Sequence, residues 1–145
     1  MPEFNTVAIL LLFALLLLWK LDFVATLLNL GSLRPELPEE FTEVYNPEKY
    51  SESQEYTRAT SKFGIIASIA SLTILLGFWF FGGFAWWDYW TRDLGLGGVT
   101  TGLVYIFGLL LGNYILNLPL TIYSTFVLEE RFGFNKTSRA TFVMD

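Results

Sequence analysis

Four polar residues recur at steps of four, four and three inside an otherwise apolar stretch: Asn113, Asn117, Thr121 and Ser124. At 3.6 residues per turn they share one face of a helix. Amides and hydroxyls in that array hydrogen-bond one another, a neighbouring helix, or water. A second polar pair, Lys20 and Asp22, interrupts an apolar run near the N-terminus. Two apart on a helix, they point to nearly opposite sides and do not pair directly. A third concentration is Glu129, Glu130 and Arg131, where charge returns at the end of an apolar segment, followed by Gly133, which permits a reversal at positive φ. None of these is assigned as a catalytic group on sequence evidence. The chain has no histidine and no cysteine, so an ordinary zinc site cannot be assembled from it and disulfides are excluded.

The elements that must position these residues are helical and membrane-embedded. Of 145 residues, 53% are hydrophobic and 18% aromatic, while only 16% are charged. Three long stretches carry almost no charge, which indicates membrane spans rather than a globular core. The fold class read from this is all-α: a polytopic membrane protein with three transmembrane helices, part of a larger helical membrane bundle. The spans fall at about residues 5–30, 63–87 and 99–128. Between and after them lie a polar connection at 31–62, an aromatic loop at 88–98 and an inner tail at 129–145. The net charge of −5 comes mainly from the first connection. With no basic patch, the partner is the lipid bilayer and no nucleic acid is expected.

The first apolar run lacks the basic lead-in and small-residue cleavage pattern of a secretory signal peptide, so it reads as a retained helix. Ten Leu, Ile, Val and Phe residues at 7–18 favour insertion by roughly 3 to 6 kcal/mol, whereas two charges at the bilayer centre cost roughly 5 to 7 kcal/mol. Lys20 and Asp22 therefore lie near an interface, as anchors, or face a protein or aqueous interior. In the connection, Asn46 is placed to cap a helix whose first residue is Pro47. The glutamates Glu36, Glu39, Glu40 and Glu43 form either a solvated linker or an attraction for a basic peptide. Trp79, Trp86, Trp87, Tyr89 and Trp90 read as an interfacial belt or a lipid-binding surface. Gly95, Gly97 and Gly98 predict a turn before the third span. Gly108 and Gly112 predict a close helix contact, and Pro119 frees the carbonyl of Ile115 and kinks that span. The polar face of Asn113, Asn117, Thr121 and Ser124 is then interhelical hydrogen bonding or the wall of a hydrated cavity.

One run is more specific. Glu129, Glu130, Arg131, Phe132, Gly133, Phe134, Asn135, Lys136 and Thr137 resemble the signature after the third membrane helix of the CAAX prenyl protease 1 family, integral-membrane zinc metalloproteases. Residues 46–56 and 58–63 resemble the segment leading into that family's second helix. Leu118, Pro119 and Tyr123 match its proline-bearing third helix, and residues 141–145 its lead-in to a fourth. The resemblance implies the N-terminal third of such a protease. It implies a bundle of seven helices around a chamber, zinc held by H-E-x-x-H and a further glutamate, and cleavage of prenylated or membrane-associated peptides. No H-E-x-x-H exists in this chain, so zinc and the catalytic step belong by implication to a C-terminal catalytic part, the expected partner of these helices. Lys20, Asp22, Asn113, Asn117, Thr121 and Ser124 are then candidate chamber wall, and residues 129–137 would position the catalytic domain.

Lysine and arginine fall in the first connection (Arg34, Lys49, Arg58, Lys62) and the tail (Arg131, Lys136, Arg139), with Arg92 alone in the aromatic loop. The positive-inside rule places the N-terminus outside and the C-terminal tail cytosolic. The membrane would be cytoplasmic in a bacterium, or endoplasmic reticulum or nuclear in a eukaryote. A different class of function also remains open: a non-catalytic membrane scaffold or lipid-binding module, or a small channel or transporter subunit.

Overall fold

The computed structural model describes residues 5–133 and 141–142. The described residues form helices and turns with no strand. Helix α1 spans Thr6–Ser32, α2 Pro47–Phe80, α3 Gly83–Asp93 and α4 Gly98–Tyr123. A short 3₁₀ helix occupies Glu39–Phe41, and α4 continues as a π-helix over Ser124–Glu129. Three of these helices are long and apolar enough to cross a membrane: Thr6–Ser32, Pro47–Phe80 and Gly98–Glu129. Their surfaces say the same. Among the described residues only Leu128 and Thr91 are buried, whereas Leu28 is 71% and Val99 82% exposed. A soluble fold would enclose such side chains; these need an apolar solvent.

The helix boundaries follow from local chemistry. Asn5 Oδ1 accepts from the Ala8 N–H at 2.9 Å and starts α1. Asn46 Oδ1 accepts from the N–H groups of Glu48 at 2.8 Å and Lys49 at 3.2 Å, with Pro47 at the first helical position. Replacing Asn46 with alanine should cost about 1 kcal/mol in thermal unfolding, and Asn46→Asp should restore most of it.

Helix α2 has 34 residues, roughly 50 Å at about 1.5 Å each. Only its apolar part, residues 63–80, is uncharged. At about 27 Å this nearly matches a hydrocarbon core of about 30 Å. The sequence places this span at 63–87, but the helix stops at Phe80. Gly82 takes a left-handed φ of 76°, and the Gly82 N–H donates to the Trp79 carbonyl at 3.0 Å. A glycine there ends a helix without the penalty a Cβ would incur. The chain resumes as α3, so residues 88–93 of the expected aromatic loop are helical. Gly95 and Gly97, at φ 65° and 80°, then form the turn that delivers α4.

The chain divides into two compact units. The first comprises Met1–Leu15 and Ser68–Pro119, the second Leu16–Ala67 and Leu120–Asp145. In the first unit α3 is two-sided. Phe84, Trp87, Asp88 and Thr91 form its covered face, while Trp86, Tyr89 and Trp90 remain exposed. Phe84 meets Phe78 and Trp79 edge-on at 4.9 and 6.2 Å. The Trp87 ring lies where a Cβ on Gly108 would be, and its Nε1 donates to the Tyr105 carbonyl at 2.9 Å. Gly108 thus admits an indole from α3 rather than a helix backbone, and Gly112 has nothing close to it. The expected glycine-paired helix contact is replaced by this aromatic one. Arg92 donates to Asp88 at 2.8 Å one turn away. That hydrogen bond, with the aspartate's charge, raises the arginine pKa further; as an exposed pair it adds little stability.

In the second unit, Phe63 stacks on Tyr123 at 5.1 Å and Phe126 meets Phe142 edge-on at 5.1 Å. Trp19 stacks on Phe23 at 5.2 Å along α1.

Candidate functional site

Two polar constellations emerge, one in each unit. In the first unit they are the asparagines of α4. Ser71 Oγ of α2 donates to Asn117 Oδ1 at 3.3 Å. Asn117 Nδ2 in turn donates to the backbone carbonyl of Asn113 at 2.8 Å and to Asn113 Oδ1 at 3.0 Å. The Asn117 amide therefore ties two turns of α4 to α2, immediately before Pro119, where the helix lacks a backbone donor. Asn117 is half-buried, but Asn113 is exposed within a membrane-spanning helix. Polar groups in that position must be met by water or further protein, because lipid cannot hydrogen-bond them.

In the second unit the residue types and the geometry meet at a cleft of about 500 Å³. It is lined by Gln54, Glu55, Arg58 and Lys62 of α2, by Pro35 of the connection, and by Arg131 and Phe132. Arg58 Nη2 donates to the Leu33 carbonyl at 3.1 Å, fixing the connection to α2. Phe132 meets Tyr56 edge-on at 5.4 Å, and the Arg131 guanidinium lies 5.7 Å over the Phe132 ring. Gly133 then turns the chain at φ 71°. Glu129 is half-buried and Glu130 exposed. Phe134, Asn135, Lys136 and Thr137 lie outside the described residues.

The remaining sequence-derived candidates belong to this second unit. Thr121 is exposed and Ser124, the first residue of the π-helix, is half-buried. Lys20 and Asp22 are both exposed. They flank the covered face of α1, where Trp19, Phe23, Thr26 and Leu30 recur at helical spacing. Neither enters an ion pair among the described residues. The cleft itself was not foreseen. Its signal was the i, i+4 pair of Arg58 and Lys62, but nothing local connects that pair to Arg131.

Among the described residues no three metal-ligating side chains come together. With no histidine or cysteine in the sequence, the zinc implied for these proteases does not fit this chain.

Comparison with known proteins bears on the segments that build the cleft. A family model described as the CAAX prenyl protease N-terminal region, five membrane helices, matches residues 26–145. The chain belongs to this family. A probable CAAX prenyl protease 1 of Schizosaccharomyces pombe is 31% identical over 126 residues, covering 78% of this chain and 27% of the relative. The Arabidopsis thaliana CAAX prenyl protease 1 homolog is 30% identical over 120 residues, covering 77% and 28%. The human homolog is 26% identical over 135 residues, covering 88% and 28%. The chain thus spans little more than a quarter of the curated relatives it matches. No solved structure matches. The three apolar helices together with this membership make it an integral membrane protein.

Proposed function

We propose that these helices form part of the chamber wall of a CAAX prenyl protease 1-like metalloendopeptidase that cleaves prenylated or membrane-associated peptides. The observation that carries the reading is the cleft of the second unit. There the signature residues Arg131 and Phe132 settle on Tyr56, Arg58 and Lys62, so the two stretches that resemble the family meet in one place. In this reading Glu129 to Thr137 orient the catalytic domain, which supplies the zinc and its activated water. Asn113, Asn117, Thr121, Ser124, Lys20 and Asp22 face the chamber. The exposed Asn113 and the exposed charges of α1 support this, since none is satisfied by lipid. The N-terminus lies outside and the signature segment is cytosolic, following the lysine and arginine distribution.

Three measurements test the proposal. The intact protein should cleave a farnesylated C-terminal peptide and lose that activity to a zinc chelator. Residues 1–145 alone should retain no zinc after dialysis; one zinc per chain would refute the assignment of the metal to another part. For the wall, cysteines introduced at Asn113 and Thr121 of the intact protein should react with a membrane-impermeant thiol reagent faster than cysteines at Val99 and Leu110. Equal rates would remove these residues from the chamber.

A further inference from the structure

The cleft of the second unit carries more positive charge than its own residues balance. Arg58, Lys62 and Arg131 line it against the single carboxylate of Glu55. Among the described residues none of the three cations takes part in an ion pair. Arg58 and Lys62 lie one helical turn apart, a like-charge spacing that is unfavourable unless an anion is shared between them. Chain position sets the depth. Lys62 directly precedes the apolar residues 63–80 of α2, and Arg131 comes just after the apolar end of the third span. Both helices therefore present these cations where they leave hydrocarbon, at the level of lipid phosphates.

We propose that this cleft binds the phosphate of an anionic phospholipid headgroup. The Arg131 guanidinium fork can take two phosphate oxygens, Arg58 offers the N–H groups that Leu33 does not hold, and the lysine adds a point charge. The Gln54 amide on the same wall offers a neutral donor. A space of about 500 Å³ admits a headgroup and is open to it along the cleft. The net excess of two positive charges selects an anionic over a zwitterionic lipid. On the orientation proposed above, the site serves the cytosolic leaflet. By bridging α2 to the segment after α4, the lipid would hold Arg131 and Phe132 against Tyr56.

The test uses the intact protein in a neutral detergent, with thermal unfolding and native mass spectrometry as readouts. Phosphatidylglycerol should raise the unfolding temperature and remain bound in the spectrometer; phosphatidylcholine should do neither. Lys62→Gln and Arg131→Gln should each weaken phosphatidylglycerol binding about tenfold, as loss of one charge-assisted contact implies. Lys62→Arg should retain it, as should Lys49→Gln, which lies outside the cleft. Equal stabilisation by phosphatidylcholine, or variants that bind as the parent does, would overturn the site. Inorganic phosphate giving the full shift at the same concentration would overturn the lipid as its source. Because binding is read without substrate, failure here leaves the protease reading standing, and the reverse also holds.

Discussion

Alanine at Gly108 should destabilise the intact protein by about 2 to 4 kcal/mol, from overpacking and a lost hydrogen bond. The added methyl would occupy the position of the Trp87 ring. The indole cannot retreat freely. Its Nε1 is bonded to the Tyr105 carbonyl, and its ring is stacked on Trp90 at 5.1 Å and 15°, with Trp86 tilted against it at 6.2 Å. Displacing the ring therefore loses packing and the bond together. A Trp87→Leu background decides the cause. With the indole gone, Gly108→Ala should cost less than about 1 kcal/mol, because the two changes share one contact. A blue or red shift of the tryptophan emission should accompany the single variant. Equal cost in both backgrounds would show that the backbone of α4, not the ring, resists the methyl. Gly112→Ala is the control: nothing lies near it, so it should be close to neutral.

Asn117→Leu carries the second large effect. The leucine is close to the asparagine in size but breaks every bond the amide makes, leaving Ser71 Oγ and the Asn113 side chain to find other partners. The expected cost is about 1 to 3 kcal/mol, from the hydrogen bonds lost with the amide. Ser71→Ala should cost less, about 0.5 to 1.5 kcal/mol, since only one bond is removed. If the face of Asn117 looked at lipid instead, leucine would be neutral or stabilising, as apolar substitution is on any lipid-exposed surface. The sign of one unfolding measurement thus separates a lipid-facing surface from a polar one. On the chamber reading, peptide cleavage should fall more than stability does.

How far the sequence anticipates these features depends on how local their causes are. The long apolar runs announce α1, α2 and α4, because burial of a helix in lipid needs only length and composition. Asn46 and the glycines before α4 were legible for the same reason: capping and positive φ act within a few residues. The Gly82–Gly83 stop was equally local, but the unbroken apolar character of residues 63–87 masked it. Helix α3 was missed as a result. Gly108 showed that something approaches closely, yet a glycine records only an absence of side chain and cannot say that the visitor is Trp87. The cleft was the least accessible. Arg58 and Arg131 are far apart in sequence, and their meeting depends on how α2 and the end of α4 pack within the second unit. The family resemblance pointed to both stretches separately, without indicating that they touch.

The π-helix at Ser124–Glu129 sets the heading of the segment beyond it. A wide turn accommodates, in effect, one residue more than an α-helix of equal rise. Each α-helical residue advances the chain by about 100°, so absorbing the surplus residue in the wide turn, and not in α-helix, fixes the azimuth from which Arg131 and Phe132 leave the helix. Relaxing this segment to α-helix with every residue kept would swing both side chains away from Tyr56 by about that angle, whereas deleting one residue between Ser124 and Glu129 would restore α-helix and keep their heading. The docking of the signature segment is thereby encoded in a residue count as much as in residue identity. Chimeras that graft this tail onto a third helix without the wide turn must drop one residue, or every motif residue will be present and aimed in the wrong direction.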